Sequence, residues 1–387
     1  MTAVPYWRLS AFYLFYFASL GALVPYWSVY LQARGFDAAQ IGTLFAILMA
    51  TKIVAPNVWG WLADHSGRRM AIIRSASLLS LVTFLGVFWV GGYWGMALVM
   101  AAFSFFWNAT LPQFEAVTLN HLGEDSHRYA HVRLWGSVGF IAAVFALGPL
   151  AAGPGIQALP WILAALFAFI WFSSLTVGEA PGRPHDGPRP ALGAVLRRPE
   201  VIALLLVCFL NQFSHGPYYT FYSILLQDHG YSGWAVGALW SWGVVAEILV
   251  FLGVAGLFAR HAPRTLMVAA LALTALRWVL VGHAVEHPWV MALAQTLHAA
   301  SFGLYHAVAI HLVHSYFPGP LQGRGQALYS SLSFGAGGAA GSLLAGWGWE
   351  RLGPAVTFDL AAAAAFLGAL VALRYLPAIL DRPGGGG

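Results

Sequence analysis

Charged residues are scarce in this chain: Asp, Glu, Lys and Arg together make up 9% of its 387 residues. Soluble globular domains carry about 25%, and 59% of this chain is hydrophobic. A core of this size cannot bury so many apolar side chains and still leave a wettable surface. The composition therefore excludes soluble enzymes, soluble nucleic-acid binders and disordered scaffolds, and it indicates a protein that crosses a bilayer many times.

Cysteine is almost absent as well. The single Cys208 lies in an apolar run, which excludes an intramolecular disulfide framework and a site built from several thiolates. The sequence also lacks the H-E-x-x-H, G-x-S-x-G and phosphate-binding loop patterns of common enzymes. We therefore predict a protein that is not an enzyme, with no cofactor and no metal site.

Long apolar runs are what the sequence has instead. A membrane-spanning helix needs about 20 mostly apolar residues, and none of the runs shows the period-two alternation of a membrane barrel. We predict an all-α integral membrane protein with twelve spans, at residues 7–31, 39–62, 70–91, 95–119, 133–153, 158–177, 200–226, 233–258, 264–282, 288–315, 323–348 and 355–376.

Basic residues indicate the orientation of these spans. All but four of the 19 Lys and Arg residues fall on one predicted side of the bundle. Arg34 and Arg351 lie on the other side, and Lys52 and Arg277 lie within spans. The positive-inside rule then places both termini in the cytoplasm, and no cleavable leader is expected because the first apolar run is too long for one. We expect a multi-pass protein of a bacterial inner membrane, whose net charge of +5 requires no nucleic-acid partner.

The chain repeats itself with an offset of about 195 residues. Residues 19–36 (SLGALVPYWSVYLQARGF) align with residues 214–231 (SHGPYYTFYSILLQDHGY), with identities that include Gln32/Gln227 and Gly35/Gly230. We predict an N-terminal six-helix bundle at 1–177, a cytoplasmic linker rich in Pro, Gly and Arg at 178–199, and a C-terminal six-helix bundle at 200–387. Parallel repeats of this kind build many secondary transporters, with the substrate site between the halves.

The loop between spans 2 and 3 follows the pattern G-x-L-A-D-x-x-G-R-[KR] from Gly60 to Arg69. Glycine suits its tight turn, and its Asp can accept a hydrogen bond from an Arg or a helix N-terminus. The loop resembles the signature of the major facilitator superfamily. That resemblance implies two pseudo-symmetric six-helix bundles, alternating access, and a conformational latch, for which the candidates are Gly60, Asp64, Gly67, Arg68 and Arg133.

Three further segments narrow the resemblance: 25–31 (PYWSVYL), 129–140 (YAHVRLWGSVGF) and 240–247 (WSWGVVAE). Together they resemble the phenylpropionate permease-type branch, which is related to proton-coupled nucleoside and oligosaccharide symporters. The resemblance implies a small aromatic carboxylate as substrate and protons as the coupling ion. It is specific for the branch and weak for the substrate, because one branch can carry several ligands.

Four ionisable side chains fall inside predicted spans, where a charge costs about 2.5–3.5 kcal/mol and usually faces a partner or a wet cavity. These candidates for proton coupling are Lys52, Glu115, Glu247 and Arg277. Glu247 and Arg277 lie at similar depths in neighbouring spans, so we expect a salt bridge, either titratable or a static pair that fixes helix packing. Lys52 is expected to reach toward Glu115. Lys52 or Arg277 is the expected anchor for a substrate carboxylate.

Spans 1, 4, 7 and 10 line the cavity in the superfamily that the chain resembles. Helical spacing places Asn211, His215, Tyr218 and Tyr222 on one face of span 7. Such faces suit a ligand with a ring body and a few polar groups, although each aromatic residue has packing as its alternative role. The predicted substrate-binding residues are Tyr16, Trp27, Asn108, Asn211, His215, Tyr218, Tyr222, His298 and His306, with Gln295 beside them in span 10.

The leading hypothesis is a monomeric, proton-coupled importer of a small aromatic carboxylate. A proton symporter of nucleosides or sugars is the first alternative, because Asn, Gln and His groups would bind such a ligand without a cation. A drug-efflux antiporter is less favoured, because span 5 lacks the full glycine spacing of the antiporter motif. Two alternatives from other classes remain: a membrane-embedded enzyme, which would form a product, and a transporter-like sensor, which would bind its ligand without net flux.

Overall fold

The computed structural model describes residues 4–180 and 192–378, and the predicted all-α fold class is confirmed across them. The helices are α1 (Tyr6–Ala33), α2 (Ala38–Ser66), α3 (Arg69–Phe84), α4 (Tyr93–Leu122), α5 (Tyr129–Ala151), α6 (Leu159–Leu175), the short α7 (Leu192–Leu196), α8 (Pro199–Ser214), α9 (Gly216–Asp228), α10 (Gly233–Arg260), α11 (Pro263–His283), α12 (Pro288–Thr296), α13 (Tyr305–Tyr316), α14 (Gln322–Ser330), α15 (Gly338–Arg351) and α16 (Gly353–Tyr375). Part of the predicted linker, residues 181–191, lies outside the described residues.

Two predicted spans are interrupted by π-helical turns. Ala299–Leu304 forms the first π-helical turn, between α12 and α13, and Ser331–Gly337 forms the second, between α14 and α15. Within the described ranges, ten helices are long and apolar enough to cross a membrane without these two. The π-helical turns account for the difference between those ten helices and the twelve predicted spans.

The repeat seen in the sequence has the same backbone structure at one helix end in each half. Gly35 follows α1 with φ of 85°, and Gly230 follows α9 with φ of 79°. In the first half, the Gly35 N–H donates to the Gln32 carbonyl at 2.9 Å. In the second, the Gly230 N–H donates to the Gln227 carbonyl at 3.0 Å. Each glycine occupies the left-handed position of a Schellman cap, which explains why these identities survive in both repeats.

Both ends of α2 are fixed by local hydrogen bonds. The Asp37 side chain accepts from the Gln40 N–H at 2.8 Å, and the Gln40 side chain accepts from the Asp37 N–H at 3.2 Å. This reciprocal pair is a capping box. At the other end, Gly67 has φ of 64° and its N–H donates to the Ala63 carbonyl. The loop that carries the predicted latch therefore begins at a defined turn.

Contacts group the described residues into two units, and unit 1 contains residues 4–180, Tyr218–Ser241 and Ser342–Glu350. In this unit α1 packs along α5 and α6, while α3 packs against α4 and α6. A Cβ on Gly139 would overlap with the Leu14 carbonyl group. The backbones of α1 and α5 meet there, as small residues allow in membrane bundles.

Unit 1 also brings second-half segments onto the ends of α1, α2 and α5. A Cβ on Gly148 of α5 would overlap with the Gly233 carbonyl of α10. A Cβ on Gly42 of α2 would lie 2.6 Å from the Gly346 Cα of α15. The Tyr26 hydroxyl donates to the Val144 carbonyl at 2.6 Å. These close backbone approaches depend on glycine, because any larger residue would separate the helices.

Of the described residues, unit 2 contains residues 192–217, Trp242–Gly341 and residues 351–378. Its helix α16 packs on α11 and α8. The core between its helices is formed by aliphatic side chains and by Tyr305, whose hydroxyl donates to the Cys208 carbonyl at 3.4 Å. Cys208 is fully buried in this core.

Candidate functional site

The predicted latch residues lie at the end of α2 and the start of α3. Asp64 pairs with Arg69, which also donates to the Gln113 side chain of α4. Gly60 faces the same Gln113 side chain, and the Arg68 side chain is exposed. Asp64 therefore has the arginine partner that the motif predicts, and Arg69 ties the loop to α4.

Arg133, a fifth latch candidate, lies in a separate polar cluster of unit 1. Its guanidinium carbon is 3.7 Å from the ring centroid of Phe17 and 5.7 Å from that of Tyr13. It attracts the Glu115 carboxylate electrostatically, and the Tyr129 hydroxyl donates to that carboxylate at 3.2 Å. An acid with a cation and a phenol beside it can hold or release a proton, or bind a polar ligand group.

The expected pair of Lys52 and Glu115 is not formed. Among the residues that the structure describes, Lys52 takes part in no ion pair. The preceding Thr51 faces α4, where it contacts Ser104 and Asn108 at 2.9 Å. Successive residues are turned by about 100° around a helix, so Lys52 projects from a different side of α2 than Thr51. Asn108 is buried at the contact of α2 with α4.

The aromatic candidates of span 1 are buried in unit 1. Tyr16 stacks on Trp107 with ring centroids 5.0 Å apart. Trp27 stacks on Tyr30 at 4.8 Å, and its Nε1–H points to the Met100 sulfur at 3.3 Å. Both side chains are surrounded by other helices of unit 1, and their substrate-binding role stays a prediction.

Span 7 is interrupted at His215, and the single face predicted for it stays a prediction. Helix α8 ends before this residue and α9 begins after it, where Pro217 has no N–H to continue the helical hydrogen bonds. Asn211 and His215 belong to unit 2. Tyr218 and Tyr222 belong to unit 1, and their ring centroids lie 4.5 and 5.7 Å from that of Trp240.

A buried cluster in unit 2 is centred on Arg277, whose exposed fraction is 0%. The Arg277 Nη1 donates to the Ser301 hydroxyl at 2.8 Å and to His298 Nδ1 at 3.0 Å. Its Nη2 donates to the Gln295 Oε1 at 3.1 Å. On the far side of the imidazole ring, His298 Nε2 lies 3.7 Å from the Glu247 Oε2. His298 thus connects the cation and the acid that were expected to pair.

Arg277 also determines the tautomer of His298. A guanidinium carries donors and no acceptor, so the His298 Nδ1 must accept and hold a lone pair. The neutral ring then carries its proton on Nε2, which faces Glu247. Glu247 can therefore take up or release a proton while the His298 ring keeps its orientation.

Aromatic and amide groups complete this cluster. The Arg277 guanidinium lies 4.5 Å from the Trp278 ring centroid. The His215 ring meets Trp278 edge-on with centroids 4.9 Å apart, and its Nδ1 donates to the Asn211 carbonyl at 2.7 Å. The Asn211 side-chain amide donates to the Ser301 carbonyl at 3.3 Å. Four predicted residues, Asn211, His215, Arg277 and His298, are therefore brought together with Glu247 at their edge.

His306 lies farther along the same helical stretch as His298. Its Nδ1 is 2.9 Å from the Tyr329 hydroxyl of α14, and its ring is half-buried. His298 and His306 were both predicted as substrate-binding residues, and the structure gives them different polar partners.

Sequence reasoning missed Ser301 and Tyr129. Tyr129 opens the segment 129–140 that carries the family resemblance, so a signal was present. Ser301 is a small polar residue in an apolar run and has no such signal. It also lies in the first π-helical turn, where α-helical spacing no longer predicts which face a residue occupies.

A cleft of about 390 Å³ opens in unit 1 near the ends of α1 and α9. The repeat-related Gln32 and Gln227 both line it, together with Val29 and Gln157. The Gln227 amide donates to the Ala151 carbonyl at 3.1 Å. Among the residues that the structure describes, no charged side chain lines this cleft, so they offer polar contacts without a partner for a carboxylate.

Comparisons with known proteins agree with this architecture. The family model described as the MFS_1 like family matches residues 6–360. The chain is 30% identical over 387 residues to a probable 3-phenylpropionic acid transporter of Escherichia coli strain K12, with 96% of this chain and 95% of that protein covered. It is 27% identical over 361 residues to the maltose permease of Geobacillus stearothermophilus, with 89% and 88% covered.

A solved structure shows the same fold. The crystal structure of a mutant of the nucleoside transporter NupG matches this chain with a TM-score of 0.85 and 17% identity. The match covers 96% of this chain and all of that one, 100%.

Proposed function

We propose, on the premise that the chain belongs to the MFS_1-like family of the major facilitator superfamily, that this secondary transporter is a proton-coupled importer of a small aromatic carboxylate. Phenylpropionate is the substrate to test first. Residues 1–177 and 200–387 are the proposed six-helix halves, joined by the linker 178–199. Their alternating access would expose the binding site to each side of the membrane in turn.

The burial of Arg277 is the observation that carries this proposal. A guanidinium keeps its charge in proteins, and a buried cation is stabilised when an anion binds it with good geometry. A substrate carboxylate has the planar, bidentate geometry that a guanidinium recognises. The neighbouring Trp278 supplies an aromatic face suited to the substrate ring. Arg277 therefore ranks before Lys52 as the carboxylate anchor.

Glu247 is the proposed proton carrier. Its carboxylate faces the Nε2 proton of His298, whose other nitrogen accepts from Arg277. When Glu247 takes up a proton, it becomes neutral and no longer competes with a substrate anion for the positive charge of Arg277. Proton and carboxylate thus favour each other's binding, which is the reciprocal coupling that symport requires.

Uptake into proteoliposomes tests this proposal. We expect labelled phenylpropionate to accumulate inside when the outside is more acidic. Glu247→Gln is expected to bind and exchange substrate but to lose gradient-driven accumulation, because the amide keeps the size of the side chain and carries no exchangeable charge. Glu286→Gln is the matched control, since Glu286 is exposed in the loop between α11 and α12, and we expect it to accumulate substrate like the wild type.

The outcomes separate substrate from coupling. If the folded wild type takes up no phenylpropionate, the aromatic carboxylate is the wrong substrate. If Glu247→Gln accumulates as much as the wild type, Glu247 is not the coupling acid, and Glu115 with Tyr129 and Arg133 is the next group to substitute.

Nucleosides or sugars are the second candidate substrates. Their support is the likeness to a maltose permease and the fold shared with a nucleoside transporter. Gln295, Ser301 and Asn211 present amide and hydroxyl groups that can bind sugar hydroxyls. Labelled maltose or uridine in the same proteoliposomes decides: gradient-driven uptake of either compound, with no uptake of phenylpropionate, favours the second candidate.

We further propose a bacterial inner membrane as the location, with both termini in the cytoplasm and a monomer as the working unit. The distribution of basic residues over alternate loops supports this orientation. Labelling of single introduced cysteines at Arg34 and Arg68 from the outside of intact cells tests it, and we expect only the first to react.

A further inference from the structure

Three rings of one helical stretch stand nearly parallel, and the outer two are titratable histidines. His298, Phe302 and His306 follow each other at intervals of four residues across the first π-helical turn. The Phe302 centroid lies 5.5 Å from that of His298 with planes 18° apart, and 5.8 Å from that of His306 with planes 6° apart. In an α-helix, residues four apart are offset by about 40°. A π-helical turn holds more residues per turn and so keeps them more closely in line.

Both ends of this row are polar. His298 faces Arg277 of α11 and Glu247 of α10, and His215 of α8 packs on the neighbouring Trp278. His306 faces the Tyr329 hydroxyl of α14 at 2.9 Å. The Glu247 carboxylate at one end and the His306 ring at the other can each accept a proton or pass one on.

The middle of the row is apolar. Phe302 has no hydrogen-bonding group, and Phe334 of the second π-helical turn packs beside it with centroids 6.2 Å apart. Eight residues of helix hold His298 and His306 about 12 Å apart, too far for direct transfer of a proton. A chain of water would be needed, and apolar constrictions exclude such chains.

We propose that Phe302 is a proton barrier. It keeps a proton held by Glu247 and His298 from reaching His306 while the substrate site is empty. The proton then crosses only when the transporter completes its cycle with substrate. This inference rests on the proposed function, because a barrier of this kind determines the coupling of a proton-driven transporter.

Proton flux without substrate tests the barrier. Proteoliposomes carry a pH-sensitive dye inside, a pH gradient is imposed, and charge is compensated by potassium with valinomycin. We expect Phe302→Ser to raise the flux about tenfold, which corresponds to a barrier lower by about 1.4 kcal/mol. Phe302→Leu keeps an apolar side chain and is expected to keep the wild-type flux. Phe334→Ser is the matched control: Phe334 packs on Phe302 and His306 without standing between the histidines, and the variant is expected to keep the wild-type flux.

Two further variants keep the test independent of folding defects. Phe302→Gln has a polar side chain nearly as long as the phenyl ring, so it fills more of the space and is expected to leak like Phe302→Ser. Adding His306→Ala to either variant is expected to abolish the leak, because the proton then has no acceptor beyond residue 302. Thermal unfolding and substrate binding establish that each variant is folded.

Two results would overturn the barrier: wild-type flux in both polar variants at Phe302 when they are folded, or an equal leak through Phe334→Ser. Failure of the proposed function has a different signature. In that case the wild type moves no protons when substrate is added, whatever flux the Phe302 variants show without it.

Discussion

At the scale of single residues, one guanidinium is held by three kinds of acceptor. Gln295 supplies an amide oxygen, Ser301 a hydroxyl and His298 a ring nitrogen to Arg277. Hydrogen bonds to a charged group contribute about 1.5–3 kcal/mol each to stability. Removal of one acceptor should therefore be measurable in stability and in binding.

We predict that Gln295→Leu lowers the free energy of unfolding by about 1–3 kcal/mol, because a buried donor of Arg277 loses its acceptor. Substrate affinity is expected to fall as well, since the guanidinium is less firmly oriented. Thermal unfolding in detergent and equilibrium binding measure the two effects. Gln326→Leu is the control: Gln326 is exposed on α14, and its change should stay within about 0.5 kcal/mol. Equal losses in both variants would contradict the role given to Gln295.

Residues of this site can be predicted from the sequence when they are charged. Arg277 and Glu247 stand out because a charge in an apolar span is costly. Lys52 stands out for the same reason, yet its expected partner was wrong. Depth along a helix can be counted from the sequence, whereas the direction around the helix depends on how neighbouring helices pack. Ser301 gives no signal, because a lone hydroxyl in an apolar run costs little.

At the scale of helices, glycine sets how closely α1 and α5 pack. A Cβ at Gly139 would overlap with the Leu14 carbonyl, whereas a Cβ at Gly253 of α10 would meet nothing within 4 Å. The two positions are both helical glycines and differ in what lies opposite them. Alanine substitutions at the two positions therefore separate the cost of steric overlap from the effect of helix propensity.

We predict that Gly139→Ala destabilises the protein by about 1–3 kcal/mol through overpacking. Gly253→Ala should be neutral or stabilise by up to about 1 kcal/mol, because alanine is the better helix former. Thermal unfolding of both variants in one detergent checks this. A neutral Gly139→Ala variant would show that α1 and α5 are not held at this distance.

Helix positions follow from the apolar runs, and the structure confirms them within a few residues. The interruptions do not follow. Pro217 breaks the helix at His215, and neither this break nor the two π-helical turns changes the hydropathy of the spans enough to be seen in it. The first π-helical turn nonetheless places Ser301 beside Arg277 and keeps Phe302 between two histidines.

At the scale of the molecule, unit 1 joins first-half helices to second-half segments through glycine contacts. Gly148 meets Gly233, and Gly42 meets Gly346. The sequence repeat predicts two related halves, but it cannot predict which ends of their helices touch, because the repeat is equally consistent with every stage of an alternating-access cycle.

We predict that Gly233→Trp stops transport and opens this end of unit 1, because an indole cannot fit where the Gly148 backbone lies. The readout is a cysteine placed at Val29 in a Cys208→Ser background, since Val29 is 5% exposed and lines the cleft. A membrane-impermeant maleimide should label it several times faster in Gly233→Trp. Gly253→Trp is the control, and its labelling should match that of the parent. Unchanged labelling in Gly233→Trp would mean that the glycine contact does not close this end.

The contact of Gly148 with Gly233 also has a consequence for timing. No solvent fits between two backbones at this distance, so the amide hydrogens around residues 148 and 233 exchange with deuterium only while the helices are apart. Under the proposed cycle, each separation is one excursion to the other state. Deuterium uptake of these two short segments would then report how readily the resting protein makes this excursion, with no substrate, label or gradient.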